Sequence, residues 1–167
     1  MSEVQIRSPF PPEFAAKLWV WLNKPRKPNF DDYGPASPAE FGHDLAHRIT
    51  RERTWGIWLD DEIAGYLGFV SHNPILGQFR GLVIAPRFRG QGVGSKALKQ
   101  TVDQLHSEGF RKLMVQTFSD NQQIRQMFHK LGFHQEGYLS AATRREGKPL
   151  DIRIMCSPGE FGYEEVV

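Results

Sequence analysis

Leu82-Val83-Ile84-Ala85-Pro86-Arg87-Phe88-Arg89-Gly90-Gln91-Gly92-Val93-Gly94-Ser95 is the stretch on which the fold turns. Its opening residues form an apolar run of strand type. Three glycines then alternate with other residues, and a helical pattern starts where they end. Glycine lets backbone approach a ligand closely. The free N–H groups at a helix start, together with the positive end of the helix dipole, favour an anion. Arg87, Arg89 and Lys96 add positive charge. A pyrophosphate is the expected guest.

Other phosphate loops fit less well. A P-loop requires Lys and then Ser/Thr directly after its last glycine, whereas Gly94 is followed by Ser95 and Lys96. A dinucleotide fingerprint requires G-x-G-x-x-G, and the loop lies mid-chain after hairpins instead of opening a βαβ unit. ATP bound by the same loop is disfavoured on the same spacing. A turn that binds nothing needs neither three glycines nor flanking arginines.

Outward from this loop, the spacing predicts a helix over 92–107 with Ala97, Leu98, Thr101, Val102 and Leu105 on one face and Gly109 as its stop. A strand is predicted over 112–118. A second helix, opened by Ser119-Asp120, carries Ile124, Met127, Phe128 and Leu131 at i, i+3, i+4 and i+7 and stops at Gly132. Strands over 133–141 and 150–156 follow, joined around Glu146-Gly147-Lys148. In the last of them Leu150, Ile152, Ile154 and Cys156 alternate with Asp151, Arg153 and Met155, as on a sheet with one buried face.

Before the loop, Asp60-Asp61-Glu62 separates two apolar runs, 55–59 and 63–70, as in a hairpin. Phe79 to Ala85 is a third strand. A first helix is read over 13–22, with one of Trp19 and Trp21 in the core, and a proline-rich loop follows from Lys24 to Pro35. Ser37-Pro38-Ala39-Glu40 then has the form of a capping box opening a second helix that ends near Arg51. The predicted order is α-α-β-β-β-α-β-α-β-β, an α/β (α+β) fold with a mixed, mostly antiparallel central sheet flanked by helices.

The bulk numbers agree with one domain over residues 1–167, with hydrophobic content of 40% and aromatic content of 12%. A net charge of +2 argues against nucleic acid as a partner. The lone cysteine, Cys156, rules out an internal disulfide, and its alternation with aliphatics makes it a core residue and not a nucleophile. No H-E-x-x-H pair occurs, and no metal is expected. The N-terminus lacks the apolar run of a signal peptide, and no stretch has the length of a membrane span, so the expectation is a cytoplasmic protein with no membrane partner.

Residues 84–95 resemble the acetyl-CoA signature of the GCN5-related N-acetyltransferases, Q/R-x-x-G-x-G/A, through Arg89, Gly92 and Gly94. A second block agrees: Asn121-Gln-Gln-Ile-Arg-Gln-Met-Phe128, then Lys130-Leu131-Gly132-Phe133. The likeness covers residues 54–156, the cofactor-binding core, and leaves 1–50 as a helical acceptor-side region. It implies acetyl-CoA as co-substrate and an acetyl group passed directly to a primary amine. By the same resemblance, backbone groups of Leu82, Val83 and Ile84 pair with the pantetheine arm. The segment Arg89, Gly90, Gln91, Gly92, Val93, Gly94, Ser95 holds the pyrophosphate, Asn121 bonds the arm, and the strands around Val83 and Val115 part to form the cleft. An N–H near Ile84 steadies the oxyanion.

The pattern departs from the family at Phe128, which stands where members often place a proton-donating tyrosine, and no glutamate occurs in the strand 79–85. Tyr138 and His72 are the candidate substitutes, each weighed against an ordinary structural role. Asp31, Asp32 and Tyr33 are candidate contacts for a cationic acceptor. The acceptor itself stays open between a small amine, such as a polyamine, and a protein N-terminus or lysine. The region after Gly132 reads like the ribosomal-protein N-acetyltransferase branch. The acidic end 160–167 leaves a homodimer open. A non-catalytic acyl-CoA-binding or sensing module is the alternative prompted by Phe128. Valine at Gly92 is expected to bar the pyrophosphate while sparing the fold.

Overall fold

The computed structural model describes residues 2–23 and 30–158. The strands are β1 (Val4–Arg7), β2 (Arg53–Leu59), β3 (Glu62–Ser71), β4 (Leu76–Ile84), β5 (Lys112–Phe118), β6 (His134–Arg145) and β7 (Lys148–Cys156). The helices are α1 (Ala15–Asn23), α2 (Pro38–Arg51), α3 (Val93–Ser107) and α4 (Gln122–Lys130). One seven-stranded sheet runs in the order β1-β2-β3-β4-β5-β7-β6. Only the β4–β5 pair is parallel; the other pairings are antiparallel. The loop positions Lys24 to Asn29 and the acidic end 160–167 singled out in the sequence lie outside the described residues.

The sequence reading of the elements holds with one omission. Strand β1 was not foreseen: Val4-Gln5-Ile6-Arg7 offers too short an alternation, with prolines close behind it, and it becomes a strand by pairing with Leu59 to Gly56 of β2. Helix α2 starts as expected, with Pro38 at its first turn and the Ser37 hydroxyl accepting from the Glu40 N–H (3.2 Å). The Glu40 carboxylate reaches one residue further back than in a standard capping box, accepting from the Ala36 N–H (2.8 Å). Helix α4 is capped by Asn121, not by Ser119-Asp120.

Two apolar clusters cover the two faces. Helices α3 and α4 pack with Leu67, Phe69, Phe79, Leu113 and Val115. Helices α1 and α2 pack with Phe10, Ile63 and Tyr66. In α3 all five predicted core positions are buried, because they fall within one stripe at helical spacing. Trp19 sits against Phe30 and Phe41 at centroid distances of 5.6 Å to each, while Trp21 is partly buried between the two clusters. The last strand is not buried on one face alone: Met155, which joins the cluster under α3 and α4, and its neighbour Cys156 are both buried.

The feature that positions the site is an irregularity in β4. Pairing with β3 steps from Leu67↔Leu82 to Phe69↔Phe79, so Arg80 and Gly81 together oppose Gly68. Such a bulge bends the strand, and Gly81 takes a φ of +140° that side chains disfavour. The parallel pairing of β4 with β5 ends at the same place, its last pair being Phe79↔Val115. Beyond it the two strands run on unpaired to Ile84 and Phe118.

The close fit of β3 against β4 can be tested at glycine. A Cβ on Gly65 would lie 2.4 Å from the Val83 carbonyl, whereas one on Gly42 in α2 would meet nothing within 4 Å. Urea unfolding of Gly65→Ala is expected to show a loss of about 1–3 kcal/mol. Gly42→Ala should gain about 0.5–1 kcal/mol, as for a helical glycine with open space at its Cβ position. Equal effects of the two would contradict this ladder.

Candidate active site

Where β4 and β5 part, a cavity of about 550 Å³ opens, bounded by the end of β4, the start of α3, the end of β5 and the inner side of α4. The alternation of the antiparallel ladder dictates which backbone groups face it. Ala85 N–H donates to Ala64 C=O (2.8 Å), so Ile84 and Leu82 present N–H and C=O away from β3, and Val83 directs its own toward Tyr66. Of the three residues expected to offer backbone to a ligand, Leu82 and Ile84 direct theirs toward the cavity, and Val83 does not. The Ile84 carbonyl is already taken by Arg89 Nε (2.8 Å).

The glycine loop leads from there into α3. The first intrahelical bond runs from Lys96 N–H to Gly92 C=O (3.0 Å), so the amides of Val93, Gly94 and Ser95 project from the helix end without helical acceptors. All three residues line the cavity, as do Arg89, Gly90 and Gly92. The glycines serve two ends. Gly90 (φ +73°) and Gly92 (φ +77°) hold left-handed backbone, and a Cβ on either would meet nothing within 4 Å. Gly94 is a packing glycine, since its Cβ would lie 3.0 Å from Met127 Cε and 3.1 Å from Ile84 Cγ1. Valine at Gly92 would meet open space but would place a β-branched residue on left-handed backbone, a strain that the local sequence does not reveal.

Side-chain charge contributes less than the sequence suggested. The Arg87 guanidinium pairs with Glu62 and lies over the Phe88 ring (4.5 Å). Gln91 folds back to donate to the Arg87 carbonyl (2.8 Å) and does not line the cavity. Lys96 is exposed and also lies outside the lining. Lys130 of α4, quoted from sequence only as part of the second motif block, is a cation in the lining. Among the described residues no three His, Cys, Asp or Glu side chains converge to hold a metal, although His43 and His47 of α2 lie one turn apart with ring centroids 4.8 Å from each other.

Asn121 and Phe128 both line the cavity. The Asn121 Oδ1 caps α4 by accepting from Ile124 N–H (3.3 Å). Phe128 is fully buried between Phe79 and Phe133, at centroid distances of 5.6 and 5.0 Å. It forms an apolar floor with no proton to give. Neither proposed substitute reaches the cavity. Tyr138 is 47% exposed on β6, beyond β7 from the split, and its hydroxyl donates to the Asp151 carboxylate, which raises its pKa. His72 sits on the β3–β4 turn with Nε2 against Gln78 Oε1 (2.8 Å).

A second cavity, about 750 Å³, lies on the α1–α2 face and meets the first at Leu22, Phe79, Gly81, Val83, Gln116 and Phe118. Asp31 and Tyr33 line it. Asp32 does not: its carboxylate accepts from Glu146 N–H (2.8 Å) and Gly147 N–H (3.0 Å), clasping the β6–β7 turn. Gln78, the partner of His72, is in the wall. So is Tyr66, which sequence reasoning missed because it reads as one more apolar residue of β3. Tyr66 is 4% exposed, and its hydroxyl lies over Gly68, where a Cβ would come within 2.8 Å of it. That hydroxyl has no hydrogen-bond partner among the described residues. Burial pushes its pKa up to about 12, against a smaller lowering by Arg48, with Glu52, Asp44 and Arg80 also acting on it.

A mixed sheet that opens between two parallel strands, with a helix N-terminus aimed into the opening, is the architecture of the acetyltransferases. Residues 15–133 match the Acetyltransferase (GNAT) family, and the chain belongs to that family. Over 67 residues it is 33% identical to the "Putative phosphinothricin acetyltransferase YwnH" of Bacillus subtilis (strain 168), a match spanning 40% of this chain and 41% of that relative. Among solved structures, a chimaera of the Vibrio cholerae spermidine N-acetyltransferase SpeG with hSSAT superposes with a TM-score of 0.77 at 18% identity, covering 93% of this chain and 95% of that one. The yncA acetyltransferase of Salmonella typhimurium, solved with acetyl-CoA, gives 0.71 at 15% identity over 98% and 99% of the two chains. The ribosomal-protein-alanine N-acetyltransferase of Brucella melitensis gives 0.72 at 15% over 92% and 98%. At these identities the likeness to solved structures is one of fold. No helix among the described residues is long and apolar enough to cross a membrane.

The cap role of Asn121 can be tested by substitution. Asn121→Ala is expected to cost about 1 kcal/mol in urea unfolding, the usual value of a lost N-cap. Asn121→Asp retains an acceptor at the helix start and should unfold within about 0.5 kcal/mol of the parent. If both variants lose stability equally, the cap assignment is wrong.

Proposed function

We propose that the protein transfers the acetyl group of acetyl-CoA to a primary amine by direct attack within a ternary complex. The observation that carries this is the meeting of two cavities at the Arg80–Gly81 bulge, one ending on bare helix amides and the other on an aromatic and polar wall.

The residues present fit acetyl-CoA on their own chemistry. The amides of Val93, Gly94 and Ser95 offer an anion three convergent donors at the positive end of a helix, and the loop glycines leave space for close approach. Leu82 and Ile84 offer strand backbone to the amides of the pantetheine arm, and Asn121 keeps its Nδ2 for the same arm while Oδ1 caps the helix. When bound, acetyl-CoA supplies an activated thioester. The Ile84 N–H, facing the split, is placed to steady the negative charge that develops on the thioester oxygen, a contribution that is large when the donor is held in advance. Phe128 and Phe79 keep the floor dry.

The acceptor enters from the α1–α2 face. Holding amine and thioester together across the bulge supplies much of the rate by proximity. Asp31 and Tyr33 at the cavity rim favour a cationic or polar amine, and Asp32 has no part. Phe128 gives no proton to the departing thiolate, so that proton comes from the attacking amine or from water. The missing donor also supports a second reading, an acyl-CoA-binding module without turnover.

Calorimetry with acetyl-CoA, with ATP as comparison, tests the donor half, and CoA release across a panel of small amines and peptide N-termini tests the acceptor half. One-site acetyl-CoA binding with ATP silent, and CoA release with at least one amine, is the expected result. Gly92→Asn suits the loop, because asparagine tolerates left-handed backbone while placing a side chain among the amides. It should fold normally and bind acetyl-CoA at least about tenfold more weakly, the equivalent of about 1.4 kcal/mol. Wild-type binding in that variant would sink the loop assignment. Binding without any turnover would establish the second reading.

A further inference from the structure

Arg89 belongs to the glycine loop in sequence, yet its side chain leaves it. Nε donates to the Ile84 carbonyl (2.8 Å) and Nη2 to the Trp21 carbonyl (3.1 Å), across a sequence separation of 68 residues. Trp21 lies in the last turn of α1, where carbonyls lack intrahelical donors. The guanidinium is partly buried, desolvation holds its pKa below the usual arginine value, and it has no ion-pair partner among the described residues.

A cation placed among neutral acceptors is costly, and a purely local turn has no need of it. What the arrangement achieves is connection. One end of Arg89 is the backbone of the loop that receives the anion. The other end grips the strand end facing the split and the helix whose Leu18 and Leu22 line the acceptor cavity. A planar fork holds two acceptors in fixed relation, which a lysine cannot do.

We infer that Arg89 is a positioning residue that couples occupancy of the pyrophosphate loop to the wall of the acceptor cavity by fastening helix α1 to the loop. The inference rests on the donor half of the proposed function. An anion bound at Val93, Gly94 and Ser95 restrains the loop backbone, the fork passes that restraint to α1, and the acceptor cavity is set before the amine arrives. Linkage makes the effect reciprocal: whatever steadies α1 also favours the donor. Ordering of a shared element is sufficient, without a second static structure, and it is seen as exchange protection.

The experiment is amide hydrogen exchange of residues 15–23 with and without CoA, alongside CoA calorimetry on the same samples. In the parent protein CoA is expected to raise the protection of α1. Arg89→Lys keeps the charge and the loop amides, so it should bind CoA within about tenfold of the parent, less than the loss of a charged hydrogen bond to phosphate would cause. In that variant α1 should no longer respond to CoA. Arg89→Gln, which removes the charge as well, should abolish the response in the same way. An unchanged α1 response in saturated Arg89→Lys would overturn the coupling, and a loss of CoA affinity beyond tenfold with the response intact would make the guanidinium a phosphate ligand instead. CoA binding to the parent with no change in α1 would sink the coupling alone. Failure of the parent to bind CoA would sink the donor assignment and the coupling with it.

Discussion

Pairing between β4 and β5 ends at Phe79 and Val115, and the rest of the site follows from what each strand does beyond that pair. Interior strands of a sheet normally spend every backbone N–H and C=O on a neighbour. Here the Arg80–Gly81 bulge turns β4 away while β5 stays in register with β7 as far as Phe118. On β4, the groups left facing the gap belong to Leu82 and Ile84. One of them, the Ile84 carbonyl, is satisfied within the chain by Arg89. The others face the gap without a partner strand, and the cavities on the two sides of the sheet join at this point.

The loop after β4 directs little side-chain charge at the cavity it borders. Its arginines are engaged elsewhere, Arg87 with Glu62 and Arg89 with two carbonyls. What remains directed at the cavity is backbone: the amides that α3 cannot use and glycines that keep clear of them. Gly94 has a separate duty, since it allows the start of α3 to close against Ile84 and Met127. Three glycines at alternate positions therefore carry two physical constraints, left-handed backbone at two and contact at one.

On the α1–α2 face, the charged groups around Tyr66 are paired with one another. Asp44 pairs with Arg48 (2.8 Å), and Glu52 lies 3.8 Å from Arg80. Between these pairs the Tyr66 hydroxyl stands buried without a partner among the described residues. An unsatisfied buried hydroxyl costs about 1–3 kcal/mol, a cost borne at the sheet position where the cavities converge. Residues carrying this wall come from α2, β3 and β4, which are well separated along the chain.

Much of this was legible in the amino-acid sequence, for reasons of period and local chemistry. The α3 stripe, the Ser37 cap, the Asp60-Asp61 turn and the glycine loop each depend on residues within a few positions of one another, so the local pattern suffices. The donor block and the apolar Phe128 were readable in the same way. Tertiary structure decided what depends on distant neighbours. Val4–Arg7 became a strand because β2 offered an edge, Val83 turned its backbone to Tyr66 because of ladder phase, and Asp32 was drawn to the β6–β7 turn. Tyr138 and His72 were kept out of the cavity between β4 and β5 by the strand order and by a turn. The direction of the Arg89 side chain, toward a helix 68 residues away rather than into its own loop, was likewise invisible in one dimension. A side chain's target is set by which unsatisfied groups surround it once the chain has folded, and that is a property of the packed sheet, not of the local sequence.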